Sequence, residues 1–219
     1  MLSVKKLLLL VIMMLVAYKS YSQFYIGGRV GANFSTITYD NKNIQSSFKN
    51  DRKLQQGVNA GLSILFSQNE VLFFNADIFF SQKGMKVSQY SSDGQNRYGY
   101  LQVESLGRYA ANLKKNNYLT FGIGPYFSFW ATGNYVTIDN ATGLKTKSKI
   151  EFETPDFKYN RFDGGIVFAI GYLFKNDCKA WGMDIKYEVG MVSNASENVD
   201  GSKNRVLSVN LYYLFKFGK

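Results

Sequence analysis

From Phe24 onward the chain alternates between apolar and polar residues at every second position, in eight separate runs. Successive residues of a β-strand point to opposite sides, so each run predicts a strand with one oily face and one polar face. In the first run Phe24, Ile26, Val30, Ala32 and Phe34 share a side with Gly28, opposite Tyr25, Gly27, Arg29, Gly31 and Asn33. The second sets Val58, Ala60, Leu62, Ile64 and Phe66 against Gly57, Asn59, Gly61 and Ser63, with Leu65 as the exception. The third sets Leu72, Phe74, Ala76, Ile78 and Phe80 against Asn75, Asp77, Ser81 and Lys83, although Phe73 and Phe79 fall on the polar side. The fourth is the weakest: Leu101, Val103 and Tyr109 share a face with Ser105 and Gly107, opposite Gln102, Glu104 and Arg108.

The remaining four runs repeat the pattern. Leu119 to Phe129 oppose Tyr118 to Trp130, and Phe162 to Phe174 oppose Arg161 to Leu173. Trp181 to Met191 oppose Gly182 to Gly190, and Leu207 to Phe217 oppose Ser208 to Lys216. A run of about ten to twelve residues is the length that a tilted strand needs to cross a hydrocarbon core. The connections at 67–70, 114–117 and 175–180 are short, whereas those at about 36–54, 86–97, 133–160 and 193–204 are longer and polar. Alternation of short turns with long loops is the habit of outer-membrane barrels, whose termini and short turns lie in the periplasm. The expected fold is all-β: an eight-stranded antiparallel up-and-down transmembrane β-barrel over 23–219.

The two faces differ in charge. The apolar class carries only Arg205, at a strand end, while the polar class holds Arg29, Lys83, Arg108, Arg161, Lys186 and Lys216 with Asp77, Glu104, Asp163, Asp184 and Glu188. Enclosed together, such charges can pair and offset the desolvation that makes a lone buried charge costly. Arg29, Asp77, Lys83, Glu104, Arg108, Arg161, Asp163, Asp184, Lys186 and Glu188 are therefore expected to form an ion-pair network in the lumen. A lumen of eight strands is just filled by side chains, which argues against a solute porin. The alternative is a soluble, lipocalin-like periplasmic barrel, with the oily face inward and the charges in water.

Composition agrees with strands and turns: 16% of the 219 residues are aromatic, Gly occurs 20 times and Pro only 2. The amino terminus reads as an export signal, with Lys5 and Lys6 before the apolar run Leu7 to Ala17, and small residues Ser20 and Ser22 before Gln23. A signal peptide over 1–22, cleaved before Gln23, is the expected organisation. Its loss removes Lys5, Lys6 and Lys19, leaving 23 basic against 16 acidic residues, a net +7. These charges are scattered and form no stripe suited to nucleic acid. Histidine is absent, which removes Ser-His-Asp and Cys-His catalysis and the commonest metal ligand. Cys178 is the sole cysteine and stands in a short turn without the surroundings of a catalytic thiol. The one cluster with catalytic residue types is Asp184, Lys186 and Glu188 with Glu104 and Arg108, and structural ion pairing accounts for it better. No catalytic, cofactor-binding or metal-binding residue is expected, and the protein is not expected to be an enzyme.

The segments YIGGRVGANFS (25–35), GVNAGLSILF (57–66), FFNADIFFSQKGMK (73–86) and YLQVESLGRY (100–109), followed by FGIGPYFSF (121–129), FDGGIVFAIGYLF (162–174), MDIKYEVGMVSNAS (183–196) and NRVLSVNLYYLFKF (204–217), resemble in order and spacing the PorT-type outer-membrane β-barrel family of the Bacteroidota. The fourth segment has Ser105 where that family favours proline after the acidic residue. The resemblance implies an outer-membrane location, no enzymatic activity and a link to protein secretion, and it supplies no catalytic residues. The expected role is a structural or loop-mediated interaction protein of the cell envelope, partnered by outer-membrane lipid and by envelope or secretion proteins through its loops. A narrow channel or small-ligand carrier is the competing role.

Overall fold

The computed structural model describes residues 23–47, 51–67, 70–88, 92–154, 157–158, 160–193 and 201–217. The expected signal peptide over 1–22 lies outside them. Eight long strands follow the eight runs: β1 (Gln23–Tyr39), β2 (Gln55–Ser67), β3 (Leu72–Ser88), β4 (Ser92–Lys114), β5 (Asn117–Asp139), β6 (Phe162–Lys175), β7 (Lys179–Gly190) and β8 (Ser202–Lys216). Each pairs antiparallel with its neighbours in sequence. β8 returns to β1, from Tyr25↔Lys216 to Tyr39↔Ser202, and closes the ring. Closure leaves the eight strands of the ring without an open edge, the condition under which a β-sheet can sit in hydrocarbon.

Parity decides which side chains fill the ring. Tyr25, Arg29 and Asn33 are buried, while Val30 between them is 57% exposed. Leu62 is 54% exposed beside Ser63 at 2%. Leu65, Phe73 and Phe79, apolar residues in the polar class, turn inward with their class and are buried. The oily face is therefore the outer one, which overturns the lipocalin-like alternative: a soluble barrel has no reason to put Val30, Leu62, Ile78, Val103, Ile123 and Leu211 on the outside and its charges within. Aromatic contacts gather where the outward rows reach the turn end, with Phe24 against Phe66 and Phe217, Phe66 against Phe74, and Trp181 against Tyr172 and Phe174. This is the position of an interfacial girdle.

The strands are longer than their hydrophobic signal, running from 12 residues in β7 to 23 in β4 and β5. At the end away from the termini, both sides of the expected loop over 86–97 are ladder instead, with β3 and β4 paired from Gly84↔Arg97 up to Ser88↔Asp93. The expected loop over 133–160 likewise begins as strand, and Lys145–Lys149 folds back onto β5 from Ile138↔Lys145 to Asn134↔Lys149. Arg52–Lys53 adds to β3 on the other side. A small sheet thus stands above the apolar band, because backbone pairing continues after the oily alternation ends. The tight turn that brings Lys145–Lys149 back is organised by Asp139. Its Oδ1 accepts hydrogen bonds from the Ala141 and Thr142 amides and the Thr142 hydroxyl, and Gly143 takes φ +70° with its amide on the Asp139 carbonyl. The Thr142 bonds, with help from the Ala141 amide, hold the Asp139 carboxyl below its usual pKa.

Candidate functional site

The barrel interior is layered. At the turn end, Tyr25, Leu65, Phe73, Tyr118, Leu173 and Leu214 form an apolar plug, with Ala110 and Ala180 filling the gaps. The Tyr25 hydroxyl donates to the Asn176 carbonyl at 2.7 Å, tying the plug to the turn after β6. Above it lies a charged layer built from β1, β3, β4 and β7. Arg29 Nη1 reaches Asp77 Oδ2 at 2.7 Å and Glu104 Oε1 at 2.8 Å. Lys186 bonds the same two carboxylates, Asp77 at 3.0 Å and Glu104 more closely still. Ser63 Oγ donates to the second oxygen of Asp77 at 2.5 Å. Arg29 Nη2 donates to Asn210 Oδ1 at 2.8 Å, and the Asn210 amide donates to Asp184 at 3.1 Å. Asp184 in turn holds Arg108 Nη2 at 2.6 Å. The Arg29 guanidinium also stacks 4.0 Å from the centre of the Phe79 ring, which explains an inward phenylalanine among charges.

A second group lies toward the opposite end. Lys83 Nζ is 2.8 Å from Glu188 and 3.5 Å from Asp163, and it sits over the rings of Tyr126 and Tyr100. Asp163 also accepts from Asn204 at 2.9 Å, Tyr126 at 3.2 Å and Ser128 at 3.4 Å, while Gln102 donates to Glu188 at 3.0 Å. Nine of the ten residues expected in the lumen are thus brought together, in these two groups. The tenth, Arg161, is a correction. It precedes the start of β6, its Nε donates to the Trp130 carbonyl at 3.0 Å, and its guanidinium is sandwiched between Phe129 and Phe152, each 4.3 Å away. It has no carboxylate partner among the described residues; its carbonyl still accepts from the Trp130 amide at 2.7 Å, but its side chain lies against Phe129 and Phe152 instead of entering the charged groups.

Residues outside the expected set carry much of the arrangement. Asn59, Asn204, Asn210, Gln102 and Tyr126 satisfy lone pairs and protons that the ions cannot satisfy for one another, and only their inward parity marks them in sequence. Glycine makes the room: a β-carbon on Gly182 would overlap the Tyr212 hydroxyl, and one on Gly31 would overlap the Asn210 and Asn59 side chains. The candidate catalytic residues are divided among these pairs and sealed, since Asp184, Lys186, Glu188, Glu104 and Arg108 are all buried. Their geometry holds strands together and offers no substrate a route to them. The Lys83 and Asp163 side chains have no exposure at all, so the lumen is occluded at their level.

Three solved structures resemble this fold at low identity. Ail, the attachment invasion locus protein of Yersinia pestis, aligns over 90% of this chain and 99% of its own with 14% identity and a TM-score of 0.42. OprG from Pseudomonas aeruginosa aligns over 91% and 97% with 12% identity and a TM-score of 0.47. Neisserial surface protein A aligns over 89% and 97% with 11% identity and a TM-score of 0.43. No curated protein sequence matches the chain. A family model does, over residues 18–196, and it describes an outer membrane protein beta-barrel domain. With a closed ring, an oily exterior and a paired polar interior already in place, the chain belongs to this outer-membrane β-barrel family, and its location is the outer membrane.

Proposed function

We propose that the protein is a non-enzymatic component of the cell envelope whose barrel is an anchor and whose raised extracellular hairpins make contact with other envelope molecules. One observation carries this reading. The interior is filled with paired side chains, so the polar surface that the described residues offer to partners lies outside it and includes the sheet built on the ends of β3, β4 and β5 with Lys145–Lys149. Function on loops held by a rigid scaffold is the common arrangement. The finer reading is a PorT-type protein of the Bacteroidota with a part in secretion, which makes secretion proteins the first partners to seek. Residues 1–22 are the export leader in this scheme, and the membrane-extracted protein should begin at Gln23; an intact Met1 would remove export by this route.

Two measurements separate anchor from channel. A photo-crosslinking residue at Tyr135 or Leu144, both exposed on the raised hairpin, should yield protein adducts in intact cells that the same residue at outward-facing Phe127 does not. Planar bilayers containing the purified protein should show no discrete conductance steps. Steady single-channel openings, or adducts only from Phe127, would replace this reading with the channel.

A further inference from the structure

The outer surface of the barrel carries a crevice of about 270 Å³ where the apolar band gives way to the raised sheet. Its lining includes Phe80, Gln82, Arg97, Thr132, Lys145 and Lys147. A β-bulge sets it up: Tyr100 pairs with Trp130 but Gly99 pairs with Thr132, which skips Ala131 and reverses the facing of β5 beyond it. Trp130 stays inward and buried, while Thr132 turns outward beside Gly99 and Gln82. The next row places Gly84, Arg97, Asn134 and Lys149 side by side, and the one above it Lys86, Gln95, Val136 and Lys147. Glycine at 84 and 99 reflects close approach: a β-carbon on Gly99 would overlap the Thr132 hydroxyl and the Phe80 ring, and one on Gly84 would overlap the Asn96 carbonyl.

Three features define what fits. The lining holds three cations, Arg97, Lys145 and Lys147, and no carboxylate. None of the three has an ion-pair partner among the described residues; the nearby Asp93 is held by Lys86 at 3.5 Å. The crevice opens on the lipid-facing side, since Phe80 belongs to the outward row of β3 and is 40% exposed. Arg97 lies two ladder rows above Phe80, about 14 Å along a strand and about 10 Å along the membrane normal for a tilt near 45°. That is the depth of lipid headgroups above their acyl chains. The volume is below that of ordinary small-molecule pockets, roughly 300–1,000 Å³, and suits a phosphorylated sugar more than a whole ligand.

We propose that this crevice docks the phosphorylated sugar headgroup of an outer-leaflet glycolipid. Arg97, Lys145 and Lys147 would bind the phosphate, Gln82, Thr132 and Asn134 would bind the sugar hydroxyls, and the acyl chains would lie along Phe80 and the outward residues below it. Arg97 contributes a planar donor fork, and the two lysines contribute mobile charges that reach the same anion from the added strand. The site anchors one lipid on one side of the barrel, at the foot of the raised sheet, and is independent of what the sheet itself contacts.

The test uses the full chain taken from outer membranes into detergent micelles, stripped of lipid and titrated under native mass spectrometry. The probes are lipid A with two phosphates, the same lipid A with both removed, and glucose 1-phosphate. Bisphosphorylated lipid A should remain bound, and the combined variant Arg97→Gln, Lys145→Gln, Lys147→Gln should weaken it by at least about tenfold, in line with the attraction of each basic residue to an anionic surface. All three residues are exposed, so folding should be unchanged, which the heat-modifiable gel migration of the barrel verifies. Lys114→Gln with Lys115→Gln, in the turn at the opposite end, should leave binding intact. Equal binding by the combined variant, equal retention of the dephosphorylated lipid, or displacement by glucose 1-phosphate at matched concentration would each overturn the proposal.

Discussion

Arg29→Met is expected to destabilise the barrel by about 3–5 kcal/mol, read as a lowered urea midpoint for folding into lipid vesicles. The cause is what it leaves behind. Asp77 and Glu104 share Arg29 and Lys186, and removing one cation leaves two carboxylates on a single ammonium where water cannot reach them. Methionine fills much of the arginine stem's volume, so the cost is chiefly electrostatic. Adding Glu104→Gln to Arg29→Met should recover a substantial part of the loss, because Asp77 and Lys186 then remain as a balanced pair beside a neutral amide. Additive costs in this cycle would mean that the charges do not interact as the geometry requires.

Leu62→Lys should cost roughly 2–4 kcal/mol in the same titration, the expense of a charge on the lipid face near mid-depth. Leu62 lies opposite Gly28 and Ile78 in the middle of the outward rows. Gln56→Lys provides the contrast: it shares the strand and the outward face, but lies six residues nearer the raised sheet, paired with Phe34. Near the interface a lysine costs at most about 1 kcal/mol. Equal effects at the two positions would mean that no hydrocarbon surrounds β2. A mild Leu62→Lys together with a severe Gln56→Lys would invert the assumed depth.

Much of this fold is legible in the sequence because a strand's facing is binary. Once Ser63 and Asp77 are counted inward, Leu65 on the strand of the first and Phe73 and Phe79 on the strand of the second must be inward too, whatever their hydropathy, and they are buried. Two things are not legible for physical reasons. The ends of β3, β4 and β5 extend into water, where neither face needs to be oily, so the alternation stops while the hydrogen-bonded ladder goes on. The pairing of charges also escapes the one-dimensional pattern. Arg29 meets Glu104, 75 residues away, because of the stagger of four strands around a ring, and no local property of either residue encodes that stagger. Arg161 shows the limit of parity itself, since its side chain at the strand end stacks on Phe129 and Phe152 instead of joining the inward charges.

The long reach of those ion pairs bears on how the chain enters a membrane. Lys186 and Asp77 are 109 residues apart, and every hairpin that could form first, such as β1 with β2 or β3 with β4, carries inward charges whose partners lie on strands not yet present. A hairpin inserted alone would expose those charges to hydrocarbon at several kcal/mol each. Stepwise threading is therefore uphill for this chain until the last strands arrive, and insertion and ring closure should proceed as one cooperative event. The slow, non-local search that such a topology demands has to be completed at the membrane surface, where water still solvates Arg29, Asp77, Glu104 and Lys186.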